Sequence, residues 1–138
     1  MSTIFTKIIN REIPAYILYE DDLVIAFLDI SQATKGHTLV VTKNEYAHFF
    51  EVPEDVLKHL FTVCQTLGQT LVKKLDAKGF NLLNNNGAVA GQTVFHYHVH
   101  LIPRYDEKEV LFSFKNHGAD LSKDDYLKIV NQILDWLN

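Results

Sequence analysis

Apolar residues change their period along the chain, and each change marks an element. Ile4 to Ile9 is a short apolar segment of one or two helical turns, stopped before Pro14. Tyr16 to Tyr19 and Val24 to Leu28, joined by Glu20-Asp21-Asp22, read as a strand hairpin, and the β-branched run Thr38 to Thr42 as a third strand. From Pro53 the spacing turns helical: Val56, Leu57, Leu60, Phe61, Cys64, Leu67, Leu71 and Leu75 recur at three and four, with Pro53 near the first helical position and Gly79 beyond the last. Gly79 to Leu83 and Tyr97 to Ile102 supply strands four and five. After Ser122 a second helix is predicted, opened by a capping box from Ser122 to Asp125 and carrying Tyr126, Val130, Ile133 and Leu137 on one face. Strands on both sides of one long helix imply an α+β fold built on a five-stranded antiparallel sheet. No repeat, low-complexity tract or linker divides the chain, so residues 1–138 are expected to form one domain.

Composition narrows the setting. At 47% hydrophobic the chain has the apolar content for a real core. No stretch approaches the length of a membrane span, and the start Met1-Ser2-Thr3-Ile4 lacks a basic segment followed by an apolar one, so a cytoplasmic location and no membrane partner are expected. The single cysteine, Cys64, excludes an intramolecular disulfide and falls on the helical stripe as a small core residue. A net charge of −4 with dispersed charges argues against a nucleic-acid surface, so any anionic ligand must be held by local groups.

The chemistry concentrates in His96-Tyr97-His98-Val99-His100. Strand side chains alternate faces, so three imidazoles at every second position line one face while Tyr97, Val99 and Leu101 turn the other way. Imidazole is the side chain that titrates near neutrality when unperturbed, which makes the row a site for proton, nucleophile or metal chemistry. A metal site would be completed by His37 or Asp29 from an earlier segment. Upstream, Asn84 to Thr93 is a small-residue, Gly-bearing, amide-rich loop of the kind that turns backbone N–H groups toward a phosphate. Phosphate held by neutral donors beside an imidazole nucleophile makes a phosphoryl or nucleotidyl transfer site that requires no metal.

In these motifs the chain resembles the histidine triad family of nucleotide hydrolases and transferases. The signature is His96-Tyr97-His98-Val99-His100-Leu101-Ile102, and the likeness extends through Ile4-Phe5-Thr6-Lys7-Ile8-Ile9, Arg11 to Ala15, Ala26 to Ile30, Lys35 to Val41, the Asn-rich loop and Gly91 to Phe95. The exit Pro103-Arg104-Tyr105 is similar to the bacterial branch related to the purine-nucleoside phosphoramidases. The resemblance implies a meander sheet in a homodimer, with the long helix and fourth strand meeting their symmetry mates, and cleavage of a purine nucleotide conjugate at its α-phosphate. It implies that His98 is the nucleophile, that His100 supplies charge or a proton at the phosphate, and that His96 and His37 support them. Asn85, Gln92 and Thr93 match phosphate- and leaving-group-contacting positions, and Asp29 matches an acceptor for the ribose hydroxyls. Ile4, Phe5, Ile8, Phe27 and Ile30 match the apolar slot around the base, which Asp29 borders.

One departure alters the expected metal content. Many bacterial relatives hold a structural zinc through a Cys-x-x-Cys, a His after the third strand and the first triad His; here Thr3, Thr6 and Glu45 stand at the first three positions. Hydroxyls are poor zinc ligands, so neither metal nor cofactor is expected. Two other readings stay open at this point: a metal enzyme ligated by the triad, and a nucleotide-binding regulatory protein whose hydrolysis is slow and incidental.

Overall fold

The computed structural model describes residues 2–135, so the predicted place of Leu137 lies outside the described residues. Five strands, β1 (Ile17–Glu20), β2 (Val24–Leu28), β3 (Thr38–Thr42), β4 (Gly79–Leu83) and β5 (His98–Arg104), form one antiparallel sheet. Its order is β1-β2-β3-β5-β4. The first three strands follow the expected meander, and the β4–β5 hairpin then enters with β5 against β3, because α2 (Glu54–Lys74) carries the chain across the sheet before β4 begins. Two shorter helices, α1 (Ile4–Ile9) and α3 (Lys123–Leu134), lie near the termini.

Both faces of the central strands are covered, which explains why β2 and β3 read as apolar runs and not as alternations. On one face Val24, Ala26, Val40, Val99 and Leu101 pack beneath Leu60, Cys64 and Leu71 of α2. On the other, Ile25, Phe27, Leu39 and Val41 pack beneath Phe5 and Ile8 of α1. Cys64 is fully buried and its thiol is pushed up to about 12 by that burial, which fits the small core residue read from the sequence. Pro53 stands one place earlier than expected, at the N-cap of α2.

The triad row begins two residues before its strand. His96 precedes β5, whose ladder against β3 runs from His98 opposite Val41 to Leu101 opposite Thr38 and sets His100 opposite Leu39. The three rings still share the α1 face: Phe5 meets His96 at a ring separation of 5.7 Å and His98 at 4.9 Å, and His98 meets His100 at 5.2 Å. The α2 face takes Tyr97, Val99 and Leu101, as the alternation requires.

Candidate active site

His98 is buried, and its Nδ1 donates to the carbonyl of His96 at 2.7 Å. The ring proton is therefore fixed on Nδ1, and Nε2 carries the free lone pair. Burial holds the pKa of His98 below the ordinary imidazole value, so the ring is neutral at pH 7. Asn84, one of the loop amides, donates through Nδ2 to the carbonyl of His98 at 2.9 Å and accepts from the Tyr97 hydroxyl at 3.0 Å, which locks the backbone at the central imidazole.

A second pair of imidazoles is ordered by a hydrogen bond from the backbone. The Ala33 N–H donates to Nδ1 of His37 at 3.1 Å, so that nitrogen is unprotonated and the proton sits on Nε2. His37 Nε2 lies 2.9 Å from His100 Nδ1 and donates to it, which places the remaining proton of His100 on its own Nε2. Asp29 Oδ2, at 3.7 Å from His37 Nε2, is too far to compete for that proton. Burial lowers the pKa of His37, and burial with the neighbouring His98 and His37 brings His100 down to about 4. The result is a donor nitrogen on His100 beside an acceptor nitrogen on His98.

His96 performs a different task. Its Nε2 donates to the Thr42 carbonyl at 2.6 Å and its Nδ1 accepts from the Thr3 hydroxyl at 2.7 Å. Thr3 and Thr6 also form the capping box of α1, and the Thr6 hydroxyl donates to Glu45. Thr3, Thr6, Glu45 and His96 thus meet in space, joined by hydroxyl, carboxylate and imidazole hydrogen bonds that tie α1 to the triad. With both ring nitrogens engaged, His96 is not free to ligate an ion, and burial keeps it neutral by lowering its pKa. Among the described residues the group whose atoms could hold a metal is Asp29, His37 and His100, within 4.8 Å of one another, and not the triad.

Beside these rings lies an apolar cavity of about 150 Å³ that Ile4, Phe5, Ile8, Phe27, Asp29 and Ile30 line together. Phe5, Ile8 and Phe27 are buried and form its wall, while Ile4 and Ile30, at 51% and 82% exposure, stand open at its rim. Asp29 accepts from the Ser31 N–H through Oδ1 at 2.8 Å, leaving Oδ2 directed into the site. All the residues of the expected base slot are therefore brought to one place.

The loop is built differently from the expectation at one residue. Gln92 is buried, its Oε1 accepts from Gly87 N at 2.8 Å, and its Nε2 donates to the carbonyls of Ala47 and Val94 at 2.7 and 3.1 Å. This amide clamps the loop that Gly87 and Gly91 turn through positive φ, and it has no donor left for a phosphate. Asn85 is half-buried and Thr93 exposed, and neither side chain is engaged in a hydrogen bond among the described residues. The sequence reading missed Asn84 and Gln32. Gln32 donates to the carbonyls of Asp29 and His37 and accepts from Gly36 N at 2.8 Å, closing the loop between β2 and β3. Their signal was an amide in a connection between strands, which is weak by itself.

Residues 10–107 match the HIT domain. The chain belongs to the HIT family. A HIT-like protein of Methanocaldococcus jannaschii is 53% identical over 126 residues, covering 91% of this chain and 95% of that protein. The crystal structure of a HIT family protein from Bacillus anthracis superposes with a TM-score of 0.89 at 42% identity, covering 98% of this chain and 96% of its own. The adenosine 5′-monophosphoramidase of Candida albicans is 41% identical over 112 residues, covering 77% of this chain and 72% of that enzyme. Membership of the HIT family supports a nucleotide hydrolase in general terms, and no helix among the described residues is long and apolar enough to cross a membrane.

Proposed function

We propose that this HIT protein cleaves a purine nucleotide conjugate at its α-phosphate through a covalent intermediate on His98. The observation that carries the reading is the fixed tautomer of His98, whose unprotonated Nε2 lies beside the apolar cavity. The name of the Candida albicans relative, an adenosine 5′-monophosphoramidase, supports the same class of substrate. The purine enters the cavity between Ile4 and Ile30, the ribose hydroxyls bond to Asp29, and Asn85 and Thr93 serve the phosphate and leaving group.

The Nε2 lone pair attacks the α-phosphorus, the bond from phosphorus to the leaving nitrogen or oxygen breaks with its electron pair, and His100 Nε2–H supplies the proton that the leaving group takes up. The bond from His37 Nε2–H to His100 Nδ1 keeps His100 in that tautomer, and the water of the second step returns the proton to His100 Nε2. Water then attacks phosphorus, releases His98 and yields the nucleoside monophosphate. His96 positions the row through its carbonyl and its tether to α1.

The test is turnover of adenosine phosphoramidate by wild type and His98→Ala, with acid-quenched wild type assayed for nucleotidyl-histidine. The variant should lose several orders of magnitude in kcat while still binding AMP, since ground-state contacts survive removal of a nucleophile. A variant that kept a tenth of the wild-type rate would refute the covalent route, and one equivalent of bound metal lost together with activity on chelation would favour metal chemistry at Asp29, His37 and His100. AMP binding without measurable turnover in wild type would favour the regulatory reading.

A further inference from the structure

Gln32, in the loop between β2 and β3, spends its whole side-chain amide on the backbone of the site. Its Nε2 donates to the carbonyls of Asp29 and His37 at 2.5 and 2.7 Å, and its Oε1 accepts from Gly36 N at 2.8 Å. Asp29 N also donates to the His37 carbonyl at 2.9 Å, so the two ends of the loop form a pair and the amide closes over them. Among the described residues no other side chain bonds to these two carbonyls. Thr34 tethers the loop elsewhere, its hydroxyl donating to the Pro103 carbonyl of β5 at 2.5 Å.

The peptide that joins Gln32 to Ala33 carries the N–H that donates to His37 Nδ1 at 3.1 Å. That N–H orders the protons of the His37–His100 pair, because the 2.9 Å bond between the rings can be made from either side with both rings neutral. Asp29 Oδ2, at 3.7 Å from His37 Nε2, lies beyond hydrogen-bond reach. With the Ala33 N–H in place, the proton of the bond belongs to His37, and His100 presents Nε2–H to the leaving group. With it withdrawn, His37 can carry its proton on Nδ1; His100 Nδ1–H then donates to His37 Nε2, and His100 turns a lone pair toward the leaving group. Both arrangements keep every side chain in place. Only the first contains an acid.

We propose that Gln32 is a positioning residue that fixes the proton order of the His37–His100 pair by holding the Ala33 N–H against His37 Nδ1, and so decides which leaving groups the site expels. The inference rests on the proposed role of His100 as the acid. When an amine leaves, the bond from phosphorus to nitrogen breaks with its electron pair on nitrogen, which takes the proton of His100 Nε2. Nitrophenolate leaves as a stable anion and needs no such proton.

The experiment compares wild type with Gln32→Leu and Gln32→Glu. Gln32 is exposed and belongs to neither core cluster, so both variants should keep the fold, checked by circular dichroism. Gln32→Glu is the sharper change, since it keeps the length and an oxygen for Gly36 N but has no N–H for the two carbonyls. Ring-nitrogen NMR without substrate should show His37 protonated at Nε2 in wild type and shifted toward Nδ1 in each variant. Single turnovers at saturation, which read the first step alone, are then followed with adenosine phosphoramidate and with the para-nitrophenyl ester of AMP. The ratio of the amidate rate to the ester rate should fall about tenfold or more in both variants, part of the roughly 100- to 10,000-fold that a general acid supplies. An equal loss on both substrates, or a His37 proton that stays on Nε2 in both variants, would overturn the proposal and leave the loop to Thr34. Wild type that turned over neither substrate would sink the acid role of His100 instead, and the ring spectra would still decide whether Gln32 sets the proton order.

Discussion

At the scale of single residues, Asp29 separates a nucleotide site from a row of buried histidines. It borders the apolar cavity with one carboxylate oxygen held by Ser31 N and the other open. A ribonucleotide brings two hydroxyls to that carboxylate and a 2′-deoxynucleotide one, and a hydrogen bond to a charged group is worth roughly 1.5–3 kcal/mol. AMP should therefore bind about tenfold or more tighter than dAMP. Asp29→Ala should flatten the ratio and keep the fold, since Phe27 and Leu39 supply the packing nearby. Calorimetry at one ionic strength decides it: equal affinities in wild type would remove Asp29 from the site.

Among the elements, the start of β3 couples the helix to the site. Gly36 has φ +92°, accepted by glycine and costly for other residues, and a Cβ there would overlap Leu75 at the end of α2. Gly36→Ala should destabilise by roughly 2–4 kcal/mol from backbone strain and overpacking together. Because Gly36 delivers His37 to its bond with His100, the variant should also lose turnover under conditions where it remains folded. A urea midpoint equal to wild type would show that the β3 entrance yields without strain. The N-terminal element is coupled in the same way. Thr3 both caps α1 and bonds His96, so the wall of the cavity and the tautomer of His96 depend on one hydroxyl.

For the whole molecule, four imidazoles, the buried His37, His96 and His98 and the half-buried His100, all have their pKa lowered by removal from water. In the unfolded chain each takes up a proton near pH 6.5, whereas folded His100 waits until about 4. Between these values the unfolded state binds more protons, so stability is full above about pH 6.5 and falls as the pH drops through the window. The Tm should decline steadily from pH 7 to pH 4.5. Glu20 and Glu45, whose pKa values are lowered by hydrogen bonds from Lys43 and Thr6, begin to add their loss only at the acid end of that range, so the decline from pH 7 to about pH 5.5 belongs to the imidazoles. A Tm constant from pH 7 to pH 4.5 would contradict burial of neutral rings.

What could be read from the sequence was whatever depends on neighbours along the chain. Short apolar and β-branched runs gave β2 and β3, the spacing of three and four gave α2, the period of two gave the shared face of the triad, and the capping box at Ser122 gave the start of α3. Alternation likewise pointed to the triad imidazoles, whereas Asp29 as a ribose acceptor and the apolar slot came from the family resemblance. Contacts between distant segments were not legible, because hydrogen bonds do not leave a period in the chain. That β5 inserts beside β3, that Gln92 spends its amide inside the loop, and that Ala33 and His37 set the protonation of His100 are decided by packing. Thr3, Thr6 and Glu45 marked a departure in sequence, and folding made of them a bridge to His96, because α1 packs on the sheet beside the paired β3 and β5 and so brings residues 3, 45 and 96 within hydrogen-bonding reach.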